Sequence, residues 1–233
     1  MTIISDNLQG VRERIAQASI AAGRDVKAVT LLAVSKTFGP EAVAEAITAG
    51  QQAFGENYVQ EGVEKVLSLR ATHADAGLQW HCIGPVQSNK TRLVSAHFDW
   101  VQSVDRLKIA QRLSEQRPEG LRPLQVCLQV NVDGGANKSG VAPDALSDLA
   151  HAVAGLPGLR LRGLMCIPEP TPDFESQRVL FLRARGLFDD LNAQGLNLDT
   201  LSLGMSDDLD AAVAAGSTMV RVGRAIFGSR PKG

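Results

Sequence analysis

The chain has 233 residues and a formal net charge of −1, which is long enough for one large α/β core and excludes the strongly basic surface that binds nucleic acid or an anionic membrane. Its three cysteines, Cys82, Cys127 and Cys166, lie far apart in apolar segments, and this spacing indicates neither a disulfide framework nor a metal site. Because no apolar run reaches membrane-spanning length and the N-terminus lacks a signal-peptide pattern, we expect a cytoplasmic protein with reduced thiols.

The first predicted element is an amphipathic helix over residues 5–22, in which Leu8, Val11, Ile15 and Ala18 share one face. After this helix, strand patterns and helix patterns alternate along the chain. Strands are predicted at residues 29–36, 53–57, 78–84, 100–104, 124–132, 159–167, 200–205 and 219–222, and helices between them at residues 40–49, 58–70, 88–96, 106–116, 143–154, 173–193 and 206–214.

Eight strands joined by helices in a chain of this size predict an α/β protein with a single (β/α)8 TIM barrel, preceded by one extra N-terminal helix. A doubly wound sheet also alternates strands and helices, but it usually has fewer strands and does not close. No Pro/Ser-rich linker divides the chain, and so we interpret residues 1–233 as one domain.

The first strand of the predicted barrel runs into a cation, because the apolar residues 29–34 are followed by Ser35 and Lys36 before Thr37 and Pro40 break the pattern. A desolvated lysine amine has a lowered pKa and becomes a nucleophile toward carbonyl groups. The alternative is that Lys36 only marks the exit of the strand into water.

Polar residues follow most of the predicted strands, at the end of a barrel where active sites lie. The residues at these strand ends are the polar Lys36, Asn57, Asp105, Asn131 and Ser206, together with Gly84, Met165 and residues 221–223. The last two strands are followed by turns that suit a phosphate, with Ser206 predicted to cap a helix and Gly223 to allow close backbone approach.

A lysine facing a phosphate site suits an aldehyde with a phosphate tail. Asp207 and Asp208 would repel a phosphate, and so we expect both carboxylates to face away from it. Purely structural roles are the alternatives: Ser206 as a helix cap, Gly223 as a turn glycine, Asn57 bonded to backbone, and Arg221 in a surface ion pair.

Long motifs in the chain also carry a family resemblance. They are residues 34–37 (VSKT), 54–61 (FGENYVQE), 83–90 (IGPVQSNK), 204–208 (GMSDD), 215–223 (AGSTMVRVG) and 225–228 (AIFG). In these motifs the chain resembles the pyridoxal phosphate homeostasis proteins, the YggS/PROSC family, over nearly its whole length.

The resemblance implies a fold type III barrel related to the N-terminal domain of alanine racemase, with pyridoxal 5′-phosphate (PLP) held as an internal aldimine on Lys36. It implies Asn57 beside the cofactor, Ser206 and Gly223 on the phosphate, and Arg221 at the pyridine nitrogen. Met165 is included among the cofactor-binding candidates. Arg224 stands where the family often has serine or threonine, and it could supply a backbone N–H and its charge instead.

The implied partner of the pyridine nitrogen bears on the chemistry, because the Arg221 guanidinium can only donate hydrogen bonds and keeps that nitrogen unprotonated. Such a ring is a poor electron sink, which argues against a transaminase or a decarboxylase. Racemases of this fold type draw a second acid or base from an added β-domain and a partner subunit. The chain ends at Gly233, soon after the last predicted strand, and we expect no such domain and a monomer.

The predicted function is therefore a PLP-binding protein, not an enzyme, that stores the cofactor or delivers it to PLP-dependent apoenzymes. The alternatives are a fold type III amino-acid racemase that uses Lys36 as a base and a Schiff-base aldolase acting on a phosphorylated sugar. Lys138 could accept the aldehyde when it leaves Lys36, and the alternative is that Lys138 is only a solvated side chain. We expect His81, between Trp80 and Cys82, to be a core histidine with one hydrogen bond.

Overall fold

A computed structural model of the protein describes residues 2–134 and 139–229, in which eight parallel strands close into a barrel in the order β1 to β8. The strands are β1 (Thr30–Val34), β2 (Ala53–Glu56), β3 (Gln79–Cys82), β4 (Trp100–Val104), β5 (Leu124–Gln129), β6 (Leu159–Met165), β7 (Thr200–Ser202) and β8 (Met219–Val222). The predicted (β/α)8 barrel is thereby confirmed. The first and last strands pair in register from Thr30 opposite Met219 to Ala33 opposite Val222.

Helices cover the outside of the barrel. They are α1 (Ile3–Ala21), α2 (Pro40–Thr48), α3 (Val59–Thr72), α4 (Thr91–His97), α5 (Leu107–Glu115), α6 (Leu146–Ala154), α7 (Phe174–Ala193), α8 (Leu209–Ala214) and α9 (Arg224–Phe227). The predicted amphipathic face of α1 is buried through Leu8, Val11 and Ile15. None of the described helices combines the length and the apolarity needed to cross a lipid bilayer.

Six strands are shorter than predicted, and in two of them, β1 and β7, a left-handed residue follows the strand end. The strand β1 ends at Val34, although the Ser35 N–H still donates to the Gly55 carbonyl at 3.0 Å, and Thr37 at φ 68° turns the chain. The strand β7 ends at Ser202, and Gly204 at φ 88° turns the chain there. A backbone turned to positive φ cannot continue a β-ladder, and so both strands end early.

The barrel interior contains a chain of buried polar side chains that links four strands. The Arg221 Nη1 donates to Ser202 Oγ at 2.8 Å, Ser202 Oγ donates to Gln102 Oε1 at 2.7 Å, and Gln102 Nε2 lies 2.9 Å from His81 Nδ1. Because the Gln102 amide group is a donor, Nδ1 of His81 accepts and the ring proton lies on Nε2. His81 also stacks on Trp100, with ring centroids 5.0 Å apart, and the prediction of a core histidine is confirmed.

Burial of His81 makes the stability of the protein depend on acid. Complete burial lowers the pKa of His81 from 6.5 to about 3, so between these values the unfolded chain binds a proton that the folded chain does not. The free energy of unfolding should therefore fall by up to about 1.4 kcal/mol for each pH unit on acidification below pH ~6. Urea unfolding at several pH values should show a shallower loss in His81→Gln than in the wild type.

The matched control for this prediction is His151→Gln, because His151 is exposed on α6. It should keep the slope of the wild-type protein. Equal slopes for His81→Gln and the wild type would show that His81 contributes nothing to acid sensitivity.

All three cysteines are buried and in the thiol form. Burial raises the pKa of Cys82 and of Cys127 to about 12. Cys127 packs with Trp100 and Met165 in one apolar cluster. The three thiols are therefore part of the packed core, and those of Cys82 and Cys127 are protonated at neutral pH.

Candidate functional site

A cavity of about 280 Å³ lies at the carboxyl ends of the strands, the end of a barrel where active sites are found. Six of the predicted site residues line it: Lys36, Asn57, Ser206, Arg221, Gly223 and Arg224. Val34, Phe38, Ile83, Ile167, Met205, Asp207 and Gly228 complete the lining. The structure thus gathers residues from six strand ends around one small, mixed polar and apolar space.

Lys36 lies in the tight turn that follows β1 and is half-buried. The Phe38 N–H donates to the Ser35 carbonyl at 3.1 Å and closes the turn. Phe38 in turn stacks on Phe227 of α9, with ring centroids 5.2 Å apart. These contacts hold the lysine at the cavity rather than at a strand end exposed to solvent.

Asn57 comes directly after β2 and depends on a close backbone contact with the loop after β3. A Cβ atom on Gly84 would lie 2.2 Å from the Asn57 carbonyl oxygen, a distance that no side chain can occupy. The neighbouring Ile83 N–H donates to the Glu56 carbonyl at 2.9 Å. Glycine at position 84 therefore lets the two strand ends approach and places Asn57 at the cavity.

Arg221 is the buried charge of the site, with 4% of the residue exposed. Its Nη1 donates to the Ser202 carbonyl and hydroxyl at 2.7 and 2.8 Å, and its Nη2 donates to the Cys166 carbonyl at 2.9 Å. These partners are neutral, so the alternative of a surface ion pair is wrong. Burial lowers the pKa of Arg221, but a guanidinium stays charged, and these bonds use three of its five N–H donors.

The turn after β7 differs from the prediction at Ser206. The helix α8 begins at Leu209, and Asp208, not Ser206, is its N-cap residue. The Asp208 carboxylate accepts from the Met205 N–H, and burial raises the pKa of this carboxyl. The Ser206 carbonyl accepts from Arg14 Nη1 of α1 at 2.6 Å. Ser206 is therefore held by its backbone, and its side chain is not needed as a cap.

The two aspartates of this turn do not behave alike. Asp208 bonds to backbone, whereas Asp207 is exposed and is one of the residues that line the cavity. Gly223 of the turn after β8 approaches β1 closely, because a Cβ atom there would lie 3.1 Å from the Val34 carbonyl oxygen. The exposed Arg224 follows it and brings a positive charge to the same side of the cavity.

The cavity lining does not include Met165, Asp105 or Asn131, which were predicted at the same end of the barrel. Met165 is fully buried beside Trp100 and Cys127 and does not line the cavity. Asp105 pairs with Arg106 at 2.8 Å, and the Asn131 side chain accepts from the Gly134 N–H at 3.1 Å. Lys138 lies outside the described residues.

Sequence reasoning missed the four apolar members of the lining that lie beyond the strand ends: Phe38, Ile83, Ile167 and Met205. Each follows the end of a strand by one to four residues. Their positions just after the strand ends could have predicted them, but the candidate site residues were chosen mainly from polar residue types.

A larger hollow of about 920 Å³ lies at the opposite end of the barrel, beside Thr30, Gln79, Gln125 and Thr200 at the starts of their strands. Its charged groups are already paired in part, since Arg162 bonds to Asp199 at 2.7 Å and lies over the Trp100 ring at 4.7 Å. This end of a barrel serves stability rather than chemistry, and size alone does not make the hollow the functional site.

The fold and the cavity together define the class of protein to which the chain belongs. An eight-stranded parallel barrel with a lysine beyond β1 and glycine-shaped turns after β7 and β8 is a barrel of the fold type III kind. The model of the alanine racemase N-terminal domain family matches residues 7–231. Alanine racemase of Corynebacterium glutamicum shares the fold with a TM-score of 0.69 at 17% identity, covering 98% of this chain and 61% of that one.

Relatives with higher sequence identity assign the chain to one family within this class. The chain is 59% identical over 233 residues to the pyridoxal phosphate homeostasis protein of Pseudomonas aeruginosa, covering 100% of this chain and 98% of that protein. The structure of PipY from Synechococcus elongatus with PLP bound has a TM-score of 0.83 at 36% identity, covering 97% of this chain and 100% of that one. The chain belongs to the pyridoxal phosphate homeostasis protein family.

Proposed function

We propose that the protein binds PLP covalently through the Lys36 amine and serves in PLP homeostasis as a store or a donor of the cofactor. The observation that carries the proposal is the placement of Lys36 and Arg221 in one cavity with the Gly223 turn. The relatives named for PLP homeostasis and the PLP-bound PipY structure support it.

The residues of the cavity fit this cofactor. Its volume, about 280 Å³, lies just below the usual range for ligand sites and suits a molecule with one ring. Lys36 supplies an amine for the aldehyde. Condensation of the two groups releases one water molecule, and the reverse reaction, hydrolysis, consumes one. Ser206, Gly223 and Arg224 would hold the phosphate, and Asn57 would lie beside the ring.

Arg221 is the residue that favours holding over turnover. Two of its N–H donors are not used by the described contacts, and one of them can donate to the pyridine nitrogen. A guanidinium has no proton to share with that nitrogen at neutral pH, so the ring stays unprotonated and withdraws electrons weakly. We therefore propose little or no catalytic turnover.

The racemase alternative needs a second acid or base near the substrate. Tyr58, the only tyrosine of the chain, is 55% exposed at the start of α3 and does not line the cavity. Asp207 is the acidic residue of the cavity lining, and it would be the residue to test if racemisation of an amino acid were detected.

The proposal is tested by an absorbance spectrum of the purified protein mixed with PLP, followed by borohydride reduction and peptide mass mapping. We expect a yellow protein, with the reduced cofactor attached to Lys36. A colourless protein that takes up no added PLP would contradict the proposal and favour the aldolase acting on a phosphorylated sugar. Steady racemisation of alanine would favour the enzyme alternative.

We also propose that the protein is a one-domain monomer that passes PLP to apoenzymes. Light scattering tests the first point. For the second, the loaded protein and a PLP-dependent apoenzyme are incubated together and, in parallel, on opposite sides of a dialysis membrane. Faster activation in the mixed sample supports direct delivery, whereas equal rates would show release into solution.

Arg224 gives a prediction specific to this chain. Arg224→Met should weaken PLP binding by about fivefold, because an exposed arginine–phosphate contact contributes about 1 kcal/mol. The loss should shrink at high salt, since the contact is exposed to solvent. Fluorescence titration at two salt concentrations measures both effects. Unchanged affinity at low salt would exclude the Arg224 charge from the phosphate site.

A further inference from the structure

An ion cluster of Glu56, Glu61 and Lys65 lies directly behind the turn that carries Lys36. Glu56 is the last residue of β2, and Glu61 and Lys65 lie one turn apart on α3. The Lys65 Nζ is 2.8 Å from Glu56 Oε1 and 2.7 Å from Glu61 Oε1. We call these three residues the acid–lysine cluster.

The acid–lysine cluster bonds to the residues on both sides of Lys36. On one side, Ser35 Oγ donates to Glu56 Oε1 at 2.6 Å and the Ser35 carbonyl accepts from Lys65 Nζ at 2.8 Å. On the other side, the Thr37 N–H donates to Glu61 Oε1 at 2.7 Å. Two neighbouring peptide groups are therefore fixed by charge-assisted hydrogen bonds, which are stronger than neutral ones.

The backbone held in this way is strained. Thr37 has φ 68°, and a β-branched residue in the left-handed region costs of order 1–3 kcal/mol. Such a conformation persists only where surrounding contacts fix it. The Glu61 bond to the Thr37 N–H is a contact of that kind, and it acts at the residue that turns the chain directly after Lys36.

Burial makes the cluster rigid. Glu56 is 0% exposed and Lys65 is 3% exposed. A Cβ atom on Gly62 would lie 3.1 Å from the Glu56 Cβ, so glycine at that position lets α3 pack against β2 here. Lys65 uses its three donors on Glu56, Glu61 and the Ser35 carbonyl, and it is therefore a structural cation rather than a second nucleophile.

We propose that the acid–lysine cluster is the positioning element of Lys36, which fixes the turn so that the amine is presented to the cavity. Glu61 is the positioning residue that can be tested with least damage, because its side chain is 32% exposed and its carboxylate receives the Thr37 N–H. The proposal rests on the proposed function in that PLP is the reactant presented to Lys36.

The test compares three variants: Glu61→Ala, Glu61→Gln and Glu64→Ala. Glu61→Ala removes the acceptor of the Thr37 N–H, and it should weaken PLP binding by about tenfold, the effect expected for one charge-assisted hydrogen bond. Glu61→Gln keeps a side-chain oxygen that can accept the same N–H, and its affinity should stay within about threefold of the wild type. Glu64 is an exposed carboxylate on the same helix, so Glu64→Ala should bind PLP like the wild type.

A readout without cofactor separates positioning from the proposed function. Hydrogen–deuterium exchange of the segment that contains Thr37 should be faster by about tenfold in Glu61→Ala and unchanged in Glu64→Ala. The thermal unfolding midpoint of each variant reports a general loss of stability.

The positioning proposal is overturned if the wild type binds PLP and Glu61→Ala binds it equally well. It is also overturned if Glu61→Gln loses as much affinity as Glu61→Ala, or if affinity falls only in proportion to thermal stability. A wild type that does not bind PLP would instead contradict the proposed function, while faster exchange at Thr37 would still support the role of Glu61 in holding the turn.

Discussion

Replacement of Lys36 by alanine should abolish covalent uptake of PLP and weaken its total binding by at least about a hundredfold, equivalent to about 2.7 kcal/mol. The expected loss is large because the amine supplies the covalent link, and the remaining contacts of the cavity with the phosphate and ring are non-covalent. Equilibrium dialysis measures the affinity of the variant, and borohydride reduction followed by mass spectrometry measures the covalent fraction.

The fold of the Lys36→Ala protein should be intact, since Lys36 is half-buried at the cavity and not part of the packed core. Lys27→Ala is the matched control, because Lys27 is exposed and precedes β1, at the opposite end of that strand from Lys36. It should leave uptake unchanged. Reduced cofactor found on another lysine in wild-type protein would contradict the assignment of Lys36.

Replacement of Arg221 by methionine should lower the free energy of unfolding by about 3 kcal/mol. The variant leaves the carbonyls of Ser202 and Cys166, two buried acceptors, without the donors that they have in the wild type. Urea unfolding of the protein without cofactor measures this loss. In the loaded protein, the absorbance band should also shift, because the ring nitrogen would lose the hydrogen-bond donor that is proposed for it.

Arg224→Met is the control for Arg221→Met. Both substitutions remove a guanidinium from the lining of one cavity, but Arg224 is exposed, and an exposed side chain should change stability by less than about 0.5 kcal/mol. Equal stability losses in the two variants would show that the buried hydrogen bonds of Arg221 add nothing to folding.

The barrel was predictable because strands and helices alternate along the chain, and a parallel sheet of eight strands can bury both of its faces by closing. The position of the site followed from the same pattern, since the carboxyl ends of parallel strands meet at one rim. Lys36 and Asn57 could be placed there without knowledge of any long-range contact.

The details that failed depend on contacts between distant parts of the chain. Threonine favours strands, and the neighbouring sequence does not indicate that Thr37 adopts φ 68°. Its N–H is bonded to the carboxylate of Glu61, which lies on another element. Serine favours helix caps, but the Ser206 turn is tied to Arg14 of α1. The burial of Arg221 could not be predicted from residue type, because arginine is rarely buried. A role for it at the pyridine nitrogen was implied only by the family resemblance.

Met165 shows the limit of counting strand ends. It is the last residue of β6, but its side chain packs with Trp100 and Cys127, while Ile167, two residues on, lines the cavity. Residues two apart lie on the same face of a strand, so the difference is one of depth: Met165 lies within β6, whereas Ile167 lies beyond its end and reaches the cavity.

The burial of the three thiols has a consequence for a protein that handles a reactive aldehyde. Thiolates add readily to aldehydes, and an accessible cysteine would compete with Lys36 for the ligand. Cys82, Cys127 and Cys166 are shielded from solvent, and the raised pKa of Cys82 and Cys127 keeps them protonated. Under the proposed function, the Lys36 amine would remain the preferred attachment point for the aldehyde, and oxidants that attack exposed thiols would leave the loading of the protein unaffected.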